Sequence, residues 1–184
     1  MVDSTAIFKA KVLIVDDQEA NVLLLERMLS GAGYVSVAST RDPRAVCELH
    51  RKNRYDLILL DLQMPGMDGF EVMEGLKEVE RDGYLPDLVV TAQPDHKLRA
   101  LQAGAKDFVS KPFDLAEVLT RVHNMLEVRL YAKALEQTVQ ELESSREVIR
   151  GKNDELKKLF DQVVTERKLS ERLAPGAPPN SIAQ

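Results

Sequence analysis

Between Lys11 and Leu126, short apolar runs alternate with helix-length amphipathic stretches, and this alternation constrains the fold more than any other feature of the chain. The runs are Val12–Val15, Tyr34–Ala38, Asp56–Leu60, Leu88–Thr91 and Asp107–Val109. The stretches between and after them are Glu19–Ala32, Pro43–Lys52, Gly69–Arg81, Asp95–Ala103 and Leu115 onward. Runs as short and as apolar as Leu57-Ile58-Leu59-Leu60 predict strands covered on both faces. Helices between such strands make the strands parallel, and right-handed crossovers leave a doubly wound α/β sheet as the natural topology. Ligands of such a sheet bind at the carboxyl ends of its strands.

Those ends carry reactive side chains. Lys11-Val12-Leu13-Ile14-Val15 runs into Asp16-Asp17, and Leu57–Leu60 runs into Asp61 and then the loop Leu62-Gln63-Met64-Pro65-Gly66-Met67-Asp68-Gly69. Leu88-Val89-Val90 ends in Thr91, and Asp107-Phe108-Val109-Ser110 ends in Lys111-Pro112. Asp16, Asp17 and Asp61 together form a hard oxygen cage of the kind Mg²⁺ prefers. Without a cation, such clustered like charges raise one another's pKa. Phosphoryl transfer asks a protein mainly for positioning and charge neutralisation, and an aspartate can act as its nucleophile, giving an acyl phosphate. Lys111 offers a compact positive charge and Thr91 a hydroxyl for the phosphoryl oxygens.

Each residue also has a plainer reading. Asp17 could cap the helix that begins near Glu19. Asp61 could be a loop acid, Lys111 a solvated strand end and Thr91 a structural hydroxyl. Their occurrence together, at four strand ends in this order, outweighs those readings. His50, His96 and His123 form no metal-ligand spacing and are expected to be solvated. The single Cys47 can form no internal disulfide and is expected to serve packing or surface.

Lys11–Asp17, Asp61–Gly69, Thr91-Ala92, Ala103-Gly104-Ala105 and Lys111-Pro112-Phe113 together resemble the receiver domain of two-component response regulators, over about Lys11 to Leu126. The resemblance implies a flavodoxin-like sheet of five parallel strands in the order 2-1-3-4-5. It implies that Asp61 accepts a phosphoryl group from the phosphohistidine of a sensor histidine kinase or phosphotransfer protein. It also implies that Asp17, Asp61 and the backbone carbonyl of Gln63 ligate Mg²⁺ directly, with Asp16 acting largely through water. Thr91 and Phe108 match the family's switch pair, and Gln63 and Gln93 match the two variable positions that tune acyl-phosphate lifetime. Such a module is no enzyme beyond catalysing its own phosphorylation and dephosphorylation.

Past Leu126 the character changes. From Val128 to Leu173 there is one glycine and no proline. Val128, Leu135, Leu142, Ile149, Leu156 and Val163 recur at heptad spacing, while Met125, Ala132, Val139 and Phe160 fall on a second set interrupted by Arg146 and Asn153. This predicts a coiled coil continuous with the last receiver helix. The plainer alternative is an amphipathic helix folded back on its own domain. Length opposes it, since about 45 residues extend roughly 70 Å. Asn153 at an inner position favours a dimer. In a parallel in-register pair, however, Lys152 would face Lys157 and Glu166 would face Glu171, so orientation and oligomer number stay open. The expected organisation is a tail over 1–10, a receiver over 11–126, a coiled-coil helix over 127–173 and a disordered tail over 174–184.

Composition narrows the function. The net charge of −5 and the lack of a basic cluster with interleaved aromatics argue against nucleic acid, and no helix-turn-helix segment follows the receiver. No apolar stretch is long enough to span a bilayer, which predicts a cytoplasmic protein with no membrane partner. The reading is a response regulator that takes phosphate on Asp61 with Mg²⁺ and passes the change through a homodimeric coiled coil to an effector the sequence does not identify. Two alternatives come from other classes. Glu166–Leu173 with Pro179–Ala183 loosely resembles the lead-in to class III nucleotide cyclases, making the chain the regulatory part of an enzyme. A phosphate-independent scaffold is the other.

Overall fold

The computed structural model describes residues 4–80, 85–92 and 94–173. Gln93 and the expected tail over 174–184 lie outside the described residues. The chain divides into two compact units, residues 1–135 and 136–184. The first contains a five-stranded sheet built from β1 (Lys11–Val15), β2 (Ser36–Thr40), β3 (Leu57–Asp61), β4 (Asp87–Thr91) and β5 (Asp107–Ser110). The strand order is β2-β1-β3-β4-β5 and every pairing is parallel. Strand bounds differ from expectation by a residue or two, the usual fraying of such limits.

The period of two along each strand explains why both faces are covered. Val12, Ile14, Leu57 and Leu59 enter one buried cluster, with Val22, Leu25 and Leu29 of α2 (Glu19–Gly31) and Val118, Val122 and Leu126 of α6 (Leu115–Leu173). Leu13, Val15, Ile58 and Leu60 enter the other, with residues of α3 (Val46–Asn53), α4 (Gly69–Val79) and α5 (Pro94–Ala103). Each such side chain contributes about 1.5–3 kcal/mol by burial. Register pairs Val15 with Leu60, Asp61 with Val90, and Thr91 with Ser110, so the carboxyl ends are level. The strand order reverses around β1 and β3, placing the ligand crevice at Asp16 and Asp61.

Several features depart from expectation. The segment expected as an N-terminal tail carries a helix, α1 (Ser4–Lys9), whose Ile7 is buried and whose Phe8 ring lies 5.3 Å from that of Tyr34. Six residues are too few for a helical period to show in sequence. Tyr34, expected in β2, instead anchors the loop before it, with its N–H on the Leu29 carbonyl at 3.1 Å. His50, expected in solvent, is fully buried, its Nε2 2.7 Å from Glu80 Oε1. Burial pushes its pKa down against the pull of Glu80. His123 is half-buried beside Phe8.

The first unit runs past the expected receiver end at Leu126. Arg129 is buried, and Lys133 Nζ lies 2.5 Å from Asp56 Oδ1, while Asp56 Oδ2 accepts the Lys11 N–H at 2.9 Å. Met125, expected in the coiled-coil seam, belongs to the sheet's core. In the second unit, helical through Leu173, Leu142, Ile149, Leu156 and Val163 are all exposed.

Candidate functional site

Buried parallel strands deliver Asp16, Asp61, Thr91 and Lys111 to one rim. Asp61 is the last residue of β3 and Thr91 the last of β4; Asp16 follows β1 and Lys111 follows β5. Asp16, Asp61 and Thr91 are all buried. Lys111 N–H donates to the Thr91 carbonyl at 3.0 Å, and its peptide bond to Pro112 is cis. Lys111 Nζ lies 2.9 Å from both Asp16 Oδ2 and Asp61 Oδ2. Asp61 Oδ1 accepts the Gln63 N–H at 3.2 Å.

One oxygen each from Asp16, Asp17 and Asp61 lies within 4.8 Å of the others. Asp17 does not cap α2: the N-cap is Gln18, and no side chain caps there. Its Oδ1 is instead buried without a hydrogen-bond partner among the described residues. An orphaned buried carboxylate oxygen beside two other acids fits a hard divalent cation. The residues present therefore suit Mg²⁺. Asp16 differs from Asp17 in that both its oxygens are engaged, Oδ1 by the Gln18 N–H at 2.9 Å and both by Asn21 Nδ2 at 3.0–3.1 Å.

Burial pushes the Asp61 pKa up, and the nearby Asp16 charge adds to this; the Lys111 contact and the Gln63 N–H only partly oppose it. Burial alone would lower the Lys111 pKa, but its bonds to Asp61 and Asp16 outweigh that and raise it. One ammonium thus holds two buried carboxylates.

The loop after Asp61 is shaped by two glycines. Gly66 has φ of +86°, which a side chain would resist. At Gly69, a Cβ would sit 2.5 Å from the Asp61 carbonyl oxygen and 2.8 Å from Leu62 Cα, so α4 can begin here only with glycine. Asp68 and Glu71 form a reciprocal capping box at 2.9 Å that fixes the same turn. Gly69→Ala should cost about 1–3 kcal/mol, because the obstacle is backbone. Denaturant unfolding checks this; a loss under about 0.5 kcal/mol would contradict the packing.

Of the residues expected from sequence, Asp16, Asp17, Asp61, Thr91 and Lys111 converge. Gln63 lies in the adjoining loop, exposed. Phe108 is half-buried in β5, with the Arg121 guanidinium 5.5 Å from its ring centroid. Sequence reasoning missed Asn21, which orients Asp16. Its signal was an asparagine in the first turn after the acid pair, a position also compatible with plain solvation.

The family model for the response regulator receiver domain matches residues 12–123. Response regulator PleD of Caulobacter vibrioides is 37% identical over 130 residues, covering 70% of this chain and 28% of that protein. Response regulator MprA of Mycolicibacterium vanbaalenii is 40% identical over 118 residues, covering 63% of this chain and 50% of that protein. This chain thus spans half or less of these two relatives. The solved receiver domain of the sensor histidine kinase PA1611 of Pseudomonas aeruginosa, with a magnesium ion coordinated in its active-site cleft, superposes with a TM-score of 0.59 at 29% identity, covering 65% of this chain and 98% of that one.

Proposed function

The chain belongs to the response regulator receiver domain family, and on that premise we propose that it is a cytoplasmic phosphoacceptor whose long C-terminal helix carries the signal by self-association. One observation supports the acceptor role most directly: Asp61, at the end of β3, shares the Lys111 ammonium with Asp16 while Asp17 keeps a buried oxygen unpartnered. A bound Mg²⁺ would supply charge neutralisation. Asp17, Asp61 and the Gln63 carbonyl are its proposed direct ligands, and Asp16 acts through water.

In the proposed reaction an Asp61 carboxylate oxygen attacks the phosphorus of a phosphohistidine on a sensor kinase or phosphotransfer protein. The P–N bond breaks and the imidazole leaves with the electron pair, taking up a proton. Lys111 stays beside the phosphoryl oxygens, and the Thr91 hydroxyl turns to bond one of them. Phe108 follows into the space Thr91 vacates, and the face of α5 and the start of α6 rearranges. Phosphate needs only to bias two existing arrangements of that face. Beyond its own phosphorylation and dephosphorylation the chain catalyses nothing in this reading.

The exposed leucine stripe of α6 supports self-association. Leu135, Leu142 and Leu156 are each about two-thirds exposed in the single chain, with no second element covering them among the described residues. Leu142→Lys should weaken association at least tenfold in Kd without altering phosphate uptake; an unchanged solution mass would count against the seam. The test of the whole reading is solution mass by light scattering, with and without Mg²⁺ and beryllofluoride, using Asp61→Asn as control. A mass shift restricted to the parent protein makes phosphorylation the assembly switch. A constant dimer makes the coil permanent, with the signal in its geometry, and a constant monomer removes the self-association role.

A further inference from the structure

The charges flanking the stripe on 136–164 are not neutral about how a second copy is placed on it. In a parallel in-register pair, Thr138 faces the partner's Glu143 and Ser145 faces the partner's Arg150, so neither charge gains a counter-ion. Lys152 meets the partner's Lys157 and Glu166 meets the partner's Glu171, each twice by symmetry. Arg146 lies on the partner's Arg146 at the centre of the seam. Asn153, opposite itself, favours this arrangement.

An antiparallel pair reverses these relations. We propose that two chains pair antiparallel through this helix, about a two-fold axis between residues 147 and 148, joined by Glu143–Arg150 and Glu136–Lys157 ion pairs between copies. This rests on the self-association reading above and adds orientation and register to it. In antiparallel coils the flanking positions meet their own kind across the seam, and here they are complementary. Glu143 faces the partner's Arg150 and Glu136 faces the partner's Lys157, each twice. On the other flank Ser145 faces the partner's Lys152 and Thr138 the partner's Leu159, with no like charges opposed.

In the same register Val139 packs on the partner's Leu156, Phe160 on the partner's Leu135, and Arg146 on the partner's Ile149 instead of on a second arginine, while Asn153 meets the partner's Leu142. A shift of one heptad in one direction places Arg150 on the partner's Arg150 and Lys152 on the partner's Lys152. A shift in the other direction places Glu143 on the partner's Glu143. The charges thus select one register of one orientation. Glu136, Glu143, Arg150 and Lys157 are all exposed and make no ion pair in their own chain among the described residues, so all four are available to a second copy. Arg167 and Glu171, which this register leaves outside the pairing, are instead bridged within one chain at 3.1 Å.

The test is a spin-label distance in the full chain, with Gln162→Cys labelled in a Cys47→Ala background. The two labels should lie about 45 Å apart, because residue 162 sits beside the partner's residue 133 and each residue rises 1.5 Å. A separation under about 25 Å, as expected for neighbouring parallel helices, overturns the orientation and leaves self-association standing. The absence of any dipolar signal at concentrations well above cellular overturns both. A charge exchange gives a second readout. Glu143→Arg should weaken association roughly tenfold, and adding Arg150→Glu should restore it. Indifference to both changes, as the parallel pairing requires, overturns the proposal.

Discussion

Asp61→Asn should take up no phosphate from a phosphohistidine protein or a small phosphoryl donor, and in metal-free buffer it should unfold later than the parent. The first effect follows from losing the carboxylate proposed as the acceptor at the end of β3; an amide cannot form the acyl phosphate. The second follows from the electrostatics. Burial and the neighbouring Asp16 hold the Asp61 pKa above its ordinary value, and Lys111 only partly offsets them. A group whose folded pKa is raised contributes stability that is full below its unfolded pKa and is lost as pH rises through the folded value. At neutral pH the ionised Asp61 therefore costs the fold, and a neutral isostere recovers on the order of 1 kcal/mol. Urea titrations in chelator at pH 7 and near pH 4 check this: the gain should be clear at pH 7 and shrink on acidification. With Mg²⁺ the order reverses, since the parent gains from binding and the variant gains less. Phosphate on the variant would mean that the acceptor is another residue. A variant less stable than the parent at pH 7 without metal would mean that the Lys111 pairing, not desolvation, dominates.

The parts of this fold legible in the sequence are those in which one residue pattern has one physical reading. Leu57–Leu60 can only be covered on both faces, and an acid directly after such a run can only stand at the rim. Asp16 and Asp61 stand at the ends of such runs, and Lys111 directly follows β5. Less legible were residues whose role depends on distant partners. His50 reads as a helix-surface residue until Glu80, 30 positions away, meets it in the interior. Arg129 and Lys133 lie beyond the expected receiver end at Leu126, yet Lys133 reaches back to Asp56, 77 positions earlier. Met125 fits a heptad and a domain core equally well, because a helical period identifies a buried face and not what buries it. The six residues of α1 offered too short a pattern to separate from a tail.

Lys111→Met should be the most destabilising change at the site, at about 3–5 kcal/mol without metal. Lys111 Nζ is 2.9 Å from Asp16 Oδ2 and from Asp61 Oδ2, and both carboxylates are 2% exposed at their side chains. Removing the ammonium leaves two buried like charges facing each other, and methionine supplies volume but no donor. The loss comes from that desolvated pair and not from a cavity, so it should respond to charge. Saturating Mg²⁺ should recover a large share of it, and a second substitution, Asp61→Asn, should recover part of it without metal. The double variant then falls short of the sum of the two single effects, as expected of residues in one network. Phosphate uptake should persist at a reduced rate, because Asp61 is still present to form the acyl phosphate. The mass response to beryllofluoride should disappear with the charge that Lys111 provides. Guanidinium unfolding of the four-member cycle, with and without Mg²⁺, gives each of these quantities. Strict additivity, or a metal-free loss under about 1 kcal/mol, would mean that Asp16 and Asp61 are satisfied by something other than Lys111.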